Sequence, residues 1–264
     1  MNKELKVVLF CFVLLSGNIC AQDFDDVRNI NRHQILFTKW NFSDFFSQES
    51  KWNWDLDVVY RRQSDVESSL ITDNPLRLSI RPWIGYQFAK LTRVSISPIG
   101  WVNSMERTVT ESDLPVFGER ELRSTLQINN NAYYGRYNFT HRIRFESRWR
   151  ALDQPEVRQN FRLRYRLRTR IPLNNDYFYV NNTVYLNLYS EVHVEFGGDF
   201  SSTNHLSQSR NYAGIGYRFW DWARLELGYL HQYMPRSNFY DVDLLFGPMF
   251  YLYIDLMSRI ASRR

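Results

Sequence analysis

The stretch Phe161-Arg162-Leu163-Arg164-Tyr165-Arg166-Leu167-Arg168-Thr169-Arg170 constrains this chain more than any other. Every second residue is arginine and the residues between are apolar or neutral. Side chains on a strand alternate between its two faces, so this segment forms a strand with one cationic and one greasy face. The segment before it repeats the pattern: Tyr137, Phe139, Ile143, Phe145 and Trp149 alternate with Arg142, Arg144, Glu146, Arg148 and Arg150.

Such strands tile most of the chain. The first of the ten is Lys51–Arg62, with Trp52, Trp54, Leu56, Val58 and Tyr60 on one face. Leu76–Ala89, Leu91–Asn103, Glu119–Asn129, Arg136–Leu152 and Arg158–Leu173 follow. Tyr177–Phe196, Asn211–Trp220, Trp222–Tyr233 and Tyr240–Leu256 bring the count to ten. The links near 90, 130–135, 174–176 and 221 are short, and those at 63–75, 104–118, 153–157, 197–210 and 234–239 are longer. Bacterial membrane barrels have short periplasmic turns and longer extracellular loops. This alternation supports ten strands, with both termini in the periplasm. Gln34–Phe46 carries Leu36, Thr38, Trp40 and Phe42 in alternation. It reads as part of an N-terminal leader (22–50), or as one strand of a pair that would make twelve, because a single extra strand breaks the loop parity.

An export signal fits this picture. Lys3 and Lys6 precede the apolar run Val7–Leu15, and Ala21 supplies a small residue for cleavage, so residues 1–21 read as a signal peptide. A lipid-anchored cysteine at Cys20 fits less well, because Ile19 is a poor match to the small residue that such processing needs. Both cysteines, Cys11 and Cys20, fall in the signal, which leaves the mature chain without disulfides or thiolate sites. The net charge of +5 comes with 28 arginines and 5 lysines spread along alternating strands. That distribution, with export, argues against nucleic acid as a partner.

The arginine phase follows from energetics. An arginine facing lipid near the midplane costs ~2–4 kcal/mol. The nine on these two strands would together exceed a typical domain stability of ~5–15 kcal/mol. They must therefore face a lumen. Cross-strand arginines repel, so carboxylates must join them. Glu191, His193 and Glu195 share a face of one neighbour, Glu119 and Glu121 lie on the other, and Glu146 sits among the arginines. Asp55, Asp57 and Glu226 are within reach around a small barrel. The expected lumen charge network is Asp55, Asp57, Arg142, Arg144, Glu146, Arg148, Arg150, Arg162, Arg164, Arg166, Arg168, Arg170, Glu191, His193 and Glu195. It either packs the lumen as a structural filling or lines a water-filled path that favours small anionic solutes. The narrowness of a ten-strand barrel favours the filling.

Catalytic alternatives carry less weight. Glu191-x-His193-x-Glu195 and Asp55-x-Asp57 loosely resemble the acidic pairs and histidine of ten-stranded outer-membrane aspartyl-type proteases. Both lie well inside strands, where charge balance is the simpler role. His33, His141, His205 and His231 lack metal-ligand spacing, and no serine-nucleophile, P-loop or dinucleotide motif occurs. No cofactor is implied. Gly214 and Gly216 suggest close packing in the barrel wall. Trp52, Trp54, Trp149, Trp220 and Trp222 near strand ends suit interfacial belts.

The segments His141–Trp149, Phe161–Leu167, Glu191–Phe196, Tyr212-Ala-Gly-Ile-Gly-Tyr217 and Leu225-Glu-Leu-Gly-Tyr229 resemble an uncharacterised outer-membrane family, domain of unknown function 2490. The resemblance implies a Gram-negative outer-membrane barrel and transfers no catalytic residue. Barrels commonly end on an aromatic residue, whereas here Phe250–Tyr253 is followed by the basic tail 257–264. The expectation is an all-β protein: a transmembrane, antiparallel up-and-down β-barrel of ten strands over 51–256, with twelve the alternative. It would sit in outer-membrane lipid with a structural or anion-preferring role. The rivals are a barrel hydrolase with a rim active site and a secreted soluble β-sandwich.

Overall fold

The computed structural model describes residues 29–47, 49–66, 68, 70–105, 107, 118–152, 157–200, 204–236 and 241–255. The expected signal peptide (1–21) and the basic tail (257–264) lie outside the described residues. Eleven strands close into a barrel: β1 Asn29–Phe45, β2 Trp52–Gln63, β3 Asn74–Ala89, β4 Thr92–Met105, β5 Gly118–Tyr134, β6 Tyr137–Leu152, β7 Val157–Pro172, β8 Thr183–Phe196, β9 Leu206–Trp220, β10 Ala223–Pro235 and β11 Asp241–Asp255. Each pairs with its sequence neighbours, and β1 pairs with β11 to close the ring.

The count of eleven corrects both ten and twelve. All ten expected strands are present, and the extra one is β1, in the segment read as a leader. Its row Leu36, Thr38, Trp40 and Phe42 faces outward, while His33, Ile35 and Phe37 are buried inward. Loop parity does not exclude an odd count, because the seam is parallel. Strands that alternate up and down bring the first and last into the same direction when their number is odd, and Asn29 pairs with Asp241 while Ser43 pairs with Asp255. The barrel is therefore antiparallel everywhere except at this seam. It also follows that β1 begins at the long-loop end and β11 finishes at the short-turn end, so the two strands do not start and finish at one rim.

Three strand boundaries move: β5 runs on to Tyr134 instead of ending at Asn129, which leaves only residues 135–136 as the link expected at 130–135, and the other two move for local reasons. The strand expected from Tyr177 begins only at Thr183. Asn174 ties the preceding loop by donating to the Asn182 carbonyl and accepting from the Val184 amide, both at 2.8 Å. Asn182 adopts φ +56°, a left-handed conformation that asparagine tolerates better than most residues. The aromatic run at 177–179 thus belongs to a turn, where Tyr177 stacks on Tyr179. β9 starts five residues before the expected Asn211, at Leu206; its opening residues Ser207, Gln208, Ser209 and Arg210 are all polar, which leaves no apolar alternation to read.

β4 changes phase in mid-strand. Pairing with β5 jumps from Ser97↔Thr125 to Gly100↔Arg123, leaving one extra residue on β4. Pro98, which has no amide hydrogen to donate, sits in this bulge. Ser95 and Ser97 face inward before it, and Val102 and Ser104 after it, while Ile99 turns outward.

The alternation holds around most of the wall. Ile80, Ile96, Leu122, Leu126, Ile143, Phe145, Leu163, Tyr165, Ile215, Leu227 and Tyr229 are exposed on the outside. The buried side chains fill the inside, and they divide into two halves. One half, over β2, β3 and β5–β8, is ionic. The other, over β8–β11 and β1, is apolar and aromatic: Ile35, Phe37, Tyr189, Tyr212, Leu230, Leu245, Met249 and Tyr251 form a single cluster. Among the described residues no helix is long and apolar enough to cross a membrane, a test that does not address strands.

Glycines make room for the aromatic half. A Cβ on Gly216 would meet the Tyr185 ring at 2.2 Å, and one on Gly214 the Tyr212 hydroxyl at 2.2 Å. The tyrosines lie flat against the wall where β9 carries no side chain, as the close-packing reading of these two glycines expects.

Candidate functional site: the ionic lumen

The strand β7 puts Arg162, Arg164, Arg166, Arg168 and Arg170 on the inner face, all 9 % exposed or less. Its partner β6 contributes Arg142, Arg144, Glu146 and Arg148, and β8 contributes Glu191, His193 and Glu195. In register, Arg144 stands opposite Arg164 and Arg142 opposite Arg166. On the other side Arg166 faces Glu191 and Arg162 faces Glu195. Like charges on β6 and β7 are thus relieved by carboxylates one strand further on.

Four carboxylates act as hubs. Glu146, fully buried, holds Arg81 at 3.2 Å, Arg164 at 2.9 Å and Arg162 at 3.7 Å, with Arg123 at 4.0 Å. Glu191 takes Arg142 at 2.5 Å and Arg164 at 3.0 Å, with His193 at 3.4 Å and Arg210 at 3.9 Å. Glu195 binds Arg148 at 2.8 Å, Arg162 at 2.7 Å and the Asn160 amide at 2.7 Å. Glu121 binds Arg148 at 2.6 Å and also its own strand's Arg123. Such charge-assisted bonds, several of them forked, are the strong kind. Arg150 lies nearer the rim, 3.6 Å from Glu119, and is only part-buried.

Asp55 and Asp57 face the same lumen from β2 but serve other partners. Asp57 pairs with Lys39 at 2.7 Å and accepts from Asn41 at 2.9 Å, while Asp55 accepts from Asn53 at 2.9 Å and lies 3.6 Å from Arg93. No bond among the described residues joins them to Glu191, His193 or Glu195. The acidic pair and the histidine of the protease-like reading are therefore not assembled into one constellation, and each carboxylate is occupied by cations. Among the described residues no group of three or more His, Cys, Asp or Glu is arranged to hold a metal ion.

Every residue expected in the charge network faces the lumen. Sequence reasoning missed Arg61, Arg77, Arg81, Arg123 and Arg210, which stand on strands without an alternating row of arginines. The only sequence signal was their phase relative to outward apolar neighbours, as with Arg81 between Ile80 and the outward Pro82. It also missed the tyrosine half of the lumen, where Glu226 is held by Tyr185 at 2.8 Å and Asn187 at 2.7 Å.

The lumen is not completely filled, and two of its cavities adjoin the ionic half. The larger, about 330 Å³, is lined by residues at the short-turn ends of the strands, including Gln87, Arg93, Asn131, Tyr133 and Thr140, and by Phe178 of the 173–182 turn. The smaller, about 80 Å³, lies at mid-height against Arg61, Arg81, Arg123 and Glu191. Lys39, Asp57, Arg142, Arg144 and Arg166 border both cavities. Towards the long-loop end the Glu121, Glu146 and Glu195 hubs fill the section.

The family model for the protein of unknown function DUF2490 matches residues 34–243, from β1 into the start of β11. The chain belongs to the DUF2490 family. No curated protein and no solved structure matches the chain. Membership thus agrees with the resemblance in the sequence and carries no assigned activity with it.

Proposed function

We propose that this DUF2490 protein is an integral outer-membrane β-barrel whose lumen is packed shut by ion pairs, with a structural role in the membrane. The observation that carries the reading is the radial sorting of β7: Leu163 and Tyr165 are 42 % and 40 % exposed outside, while Arg162, Arg164 and Arg166 between and beside them are buried inside. Water would tolerate the reverse arrangement, whereas hydrocarbon would not. Strands of 12 to 17 residues exceed the ~9–11 tilted residues that crossing requires. The end with the short turns, where only the 173–182 connection is long, then lies on the periplasmic side and the other end outside, and surrounding lipid is the principal partner.

The ion pairs support filling over conduction, since the hubs reach across the lumen to strands that are not neighbours in the ring, such as β3 and β6 through Arg81 and Glu146. They equally support charge balance over catalysis. An anion-preferring channel would use the same arginines but would require these layers to part. The full mature chain, folded in detergent, should migrate faster on gels when unheated than when boiled. In a planar bilayer it should give no stepwise conductance. Water-soluble behaviour without detergent would overturn the membrane reading, and discrete anion-selective steps would overturn the closed lumen.

A further inference from the structure

We propose that the cavity at the short-turn end is a binding site for a small multivalent oxyanion, held by Arg144, Arg166, Arg168 and Arg224. This deepens the closed-lumen reading and rests on the same inward arginines, not on the surrounding membrane.

The argument begins with an imbalance. In the middle and upper lumen, Arg123, Arg148, Arg162 and Arg164 each sit on a carboxylate of the chain. At the short-turn end, among the described residues, Arg144, Arg166, Arg168 and Arg224 enter no ion pair, although all four line the 330 Å³ cavity. Arg144, Arg166 and Arg168 are 7 %, 9 % and 5 % exposed. A buried cation without a carboxylate in contact is unfavourable; Arg144 has only the Gln127 amide oxygen, and Glu226 and Asp255 act on Arg168 and Arg224 from beyond ion-pair distance. Among the described residues no carboxylate closes an ion pair with these four arginines, which leaves the cavity open to a negative charge from a ligand.

The shape of the cationic surface says what kind of charge fits. Each guanidinium lies over an aromatic face: Arg144 over Trp83 at 4.8 Å, Arg166 and Arg168 over the same Tyr189 ring at 5.1 and 5.5 Å, and Arg224 over Tyr253 at 4.1 Å. Stacking covers the plane of a guanidinium and leaves its N–H edge for a forked bond to an oxyanion. Arg166 and Arg168 are two residues apart on one strand, hence about 7 Å, and Arg224 comes from β10. Four cations drawn from β6, β7 and β10 around one cavity favour a ligand with several anionic groups over a single monovalent ion. The volume matches the lower end of small-molecule sites, roughly 300 Å³.

The test is calorimetric titration of the full mature chain, folded in detergent, with inorganic tripolyphosphate, citrate and orthophosphate in separate runs. We expect saturable one-to-one binding of tripolyphosphate or citrate, tighter than orthophosphate; the tighter of the two identifies a phosphate-bearing or a polycarboxylate ligand. Arg168→Gln and Arg224→Gln should each weaken binding about tenfold, or ~1.4 kcal/mol. Arg158→Gln, an equal charge change at the exposed far end of β7, should leave it unchanged. Without ligand, Arg168→Gln should melt higher than the parent, because it removes an uncompensated buried charge; an arginine with a purely structural role would melt lower when replaced. No saturable binding of either polyanion, an equal loss in Arg158→Gln, or a lower melting point for both lumen variants would overturn the site. Bilayer and gel-shift behaviour is read separately, so failure of the membrane reading would not be mistaken for failure of the site.

Discussion

Glu146→Gln removes the most heavily used charge in the lumen while keeping its size. Glu146 is 0 % exposed and lies within ion-pair reach of Arg81, Arg123, Arg162 and Arg164. Breaking a buried pair by removing one partner costs ~3–5 kcal/mol, because the other charge is left behind. Here Arg164 and Arg162 keep second carboxylates in Glu191 and Glu195, whereas Arg81 keeps none among the described residues, so the same range applies rather than a multiple of it. For a chain of this length ~1 kcal/mol corresponds to roughly 2–4 °C, which makes the expected fall roughly 6–20 °C. The assay is the temperature at which the compact, fast-migrating species converts to the unfolded one on a gel. Glu119→Gln is the comparison. Its partner Arg150 is 3.6 Å away and both side chains are part-exposed, so ~0–1 kcal/mol is expected. Adding Arg81→Gln to Glu146→Gln should recover part of the loss, since the two share one interaction. A Glu146→Gln shift no larger than that of Glu119→Gln would refute the claim that these ion pairs hold the barrel together.

Leu163→Arg puts a charge on the outer face of β7 and should destabilise the protein by ~2–4 kcal/mol in lipid, read as poor folding into vesicles, while the same change at the exposed Val157 near the rim should be mild. Gly247→Ala should weaken the β1–β11 seam, because a Cβ there would meet the Ile35 carbonyl oxygen at 1.8 Å; overpacking of this kind costs ~1–3 kcal/mol, and the melting temperature should fall accordingly. Gly216→Val should displace the Tyr185 ring and release its hydroxyl from Glu226, visible as a lower melting point and altered near-ultraviolet circular dichroism.

Much of this barrel is legible in its sequence because two signals coincide. On β6 and β7 the arginines fix the inward phase by energy alone, and the apolar row between them fixes the outward one. Where only one signal exists, the reading falters. The inward residues of β1 include Ile35 and Phe37, apolar like its outward row, so the strand shows little contrast between its faces and passes for a leader. That contrast is missing because half of the lumen is itself an apolar and aromatic core. Parity then misled the count, since nothing in a single strand announces that it will pair in parallel with the last. The partners of each charge were legible only between neighbouring strands, as for Arg162 and Glu195. The bond from Arg81 to Glu146 crosses between strands that do not touch in the ring, and no periodicity encodes it. The short-turn cavity was hidden for a related reason: β7 displays its five arginines as equivalent, and only the three-dimensional arrangement of carboxylates distinguishes Arg164, with two partners, from Arg166 and Arg168, with none.

Single cysteines provide the most direct examination of where the outer wall sits, since the sequence carries cysteine only at positions 11 and 20. A polarity-sensitive fluorophore placed at Leu163→Cys or Leu227→Cys, with the protein folded into vesicles, should emit as in an apolar medium and be quenched by lipids brominated on their acyl chains. Water-like emission at both positions, unaffected by the brominated lipids, would contradict a membrane-embedded barrel with its arginines turned inward.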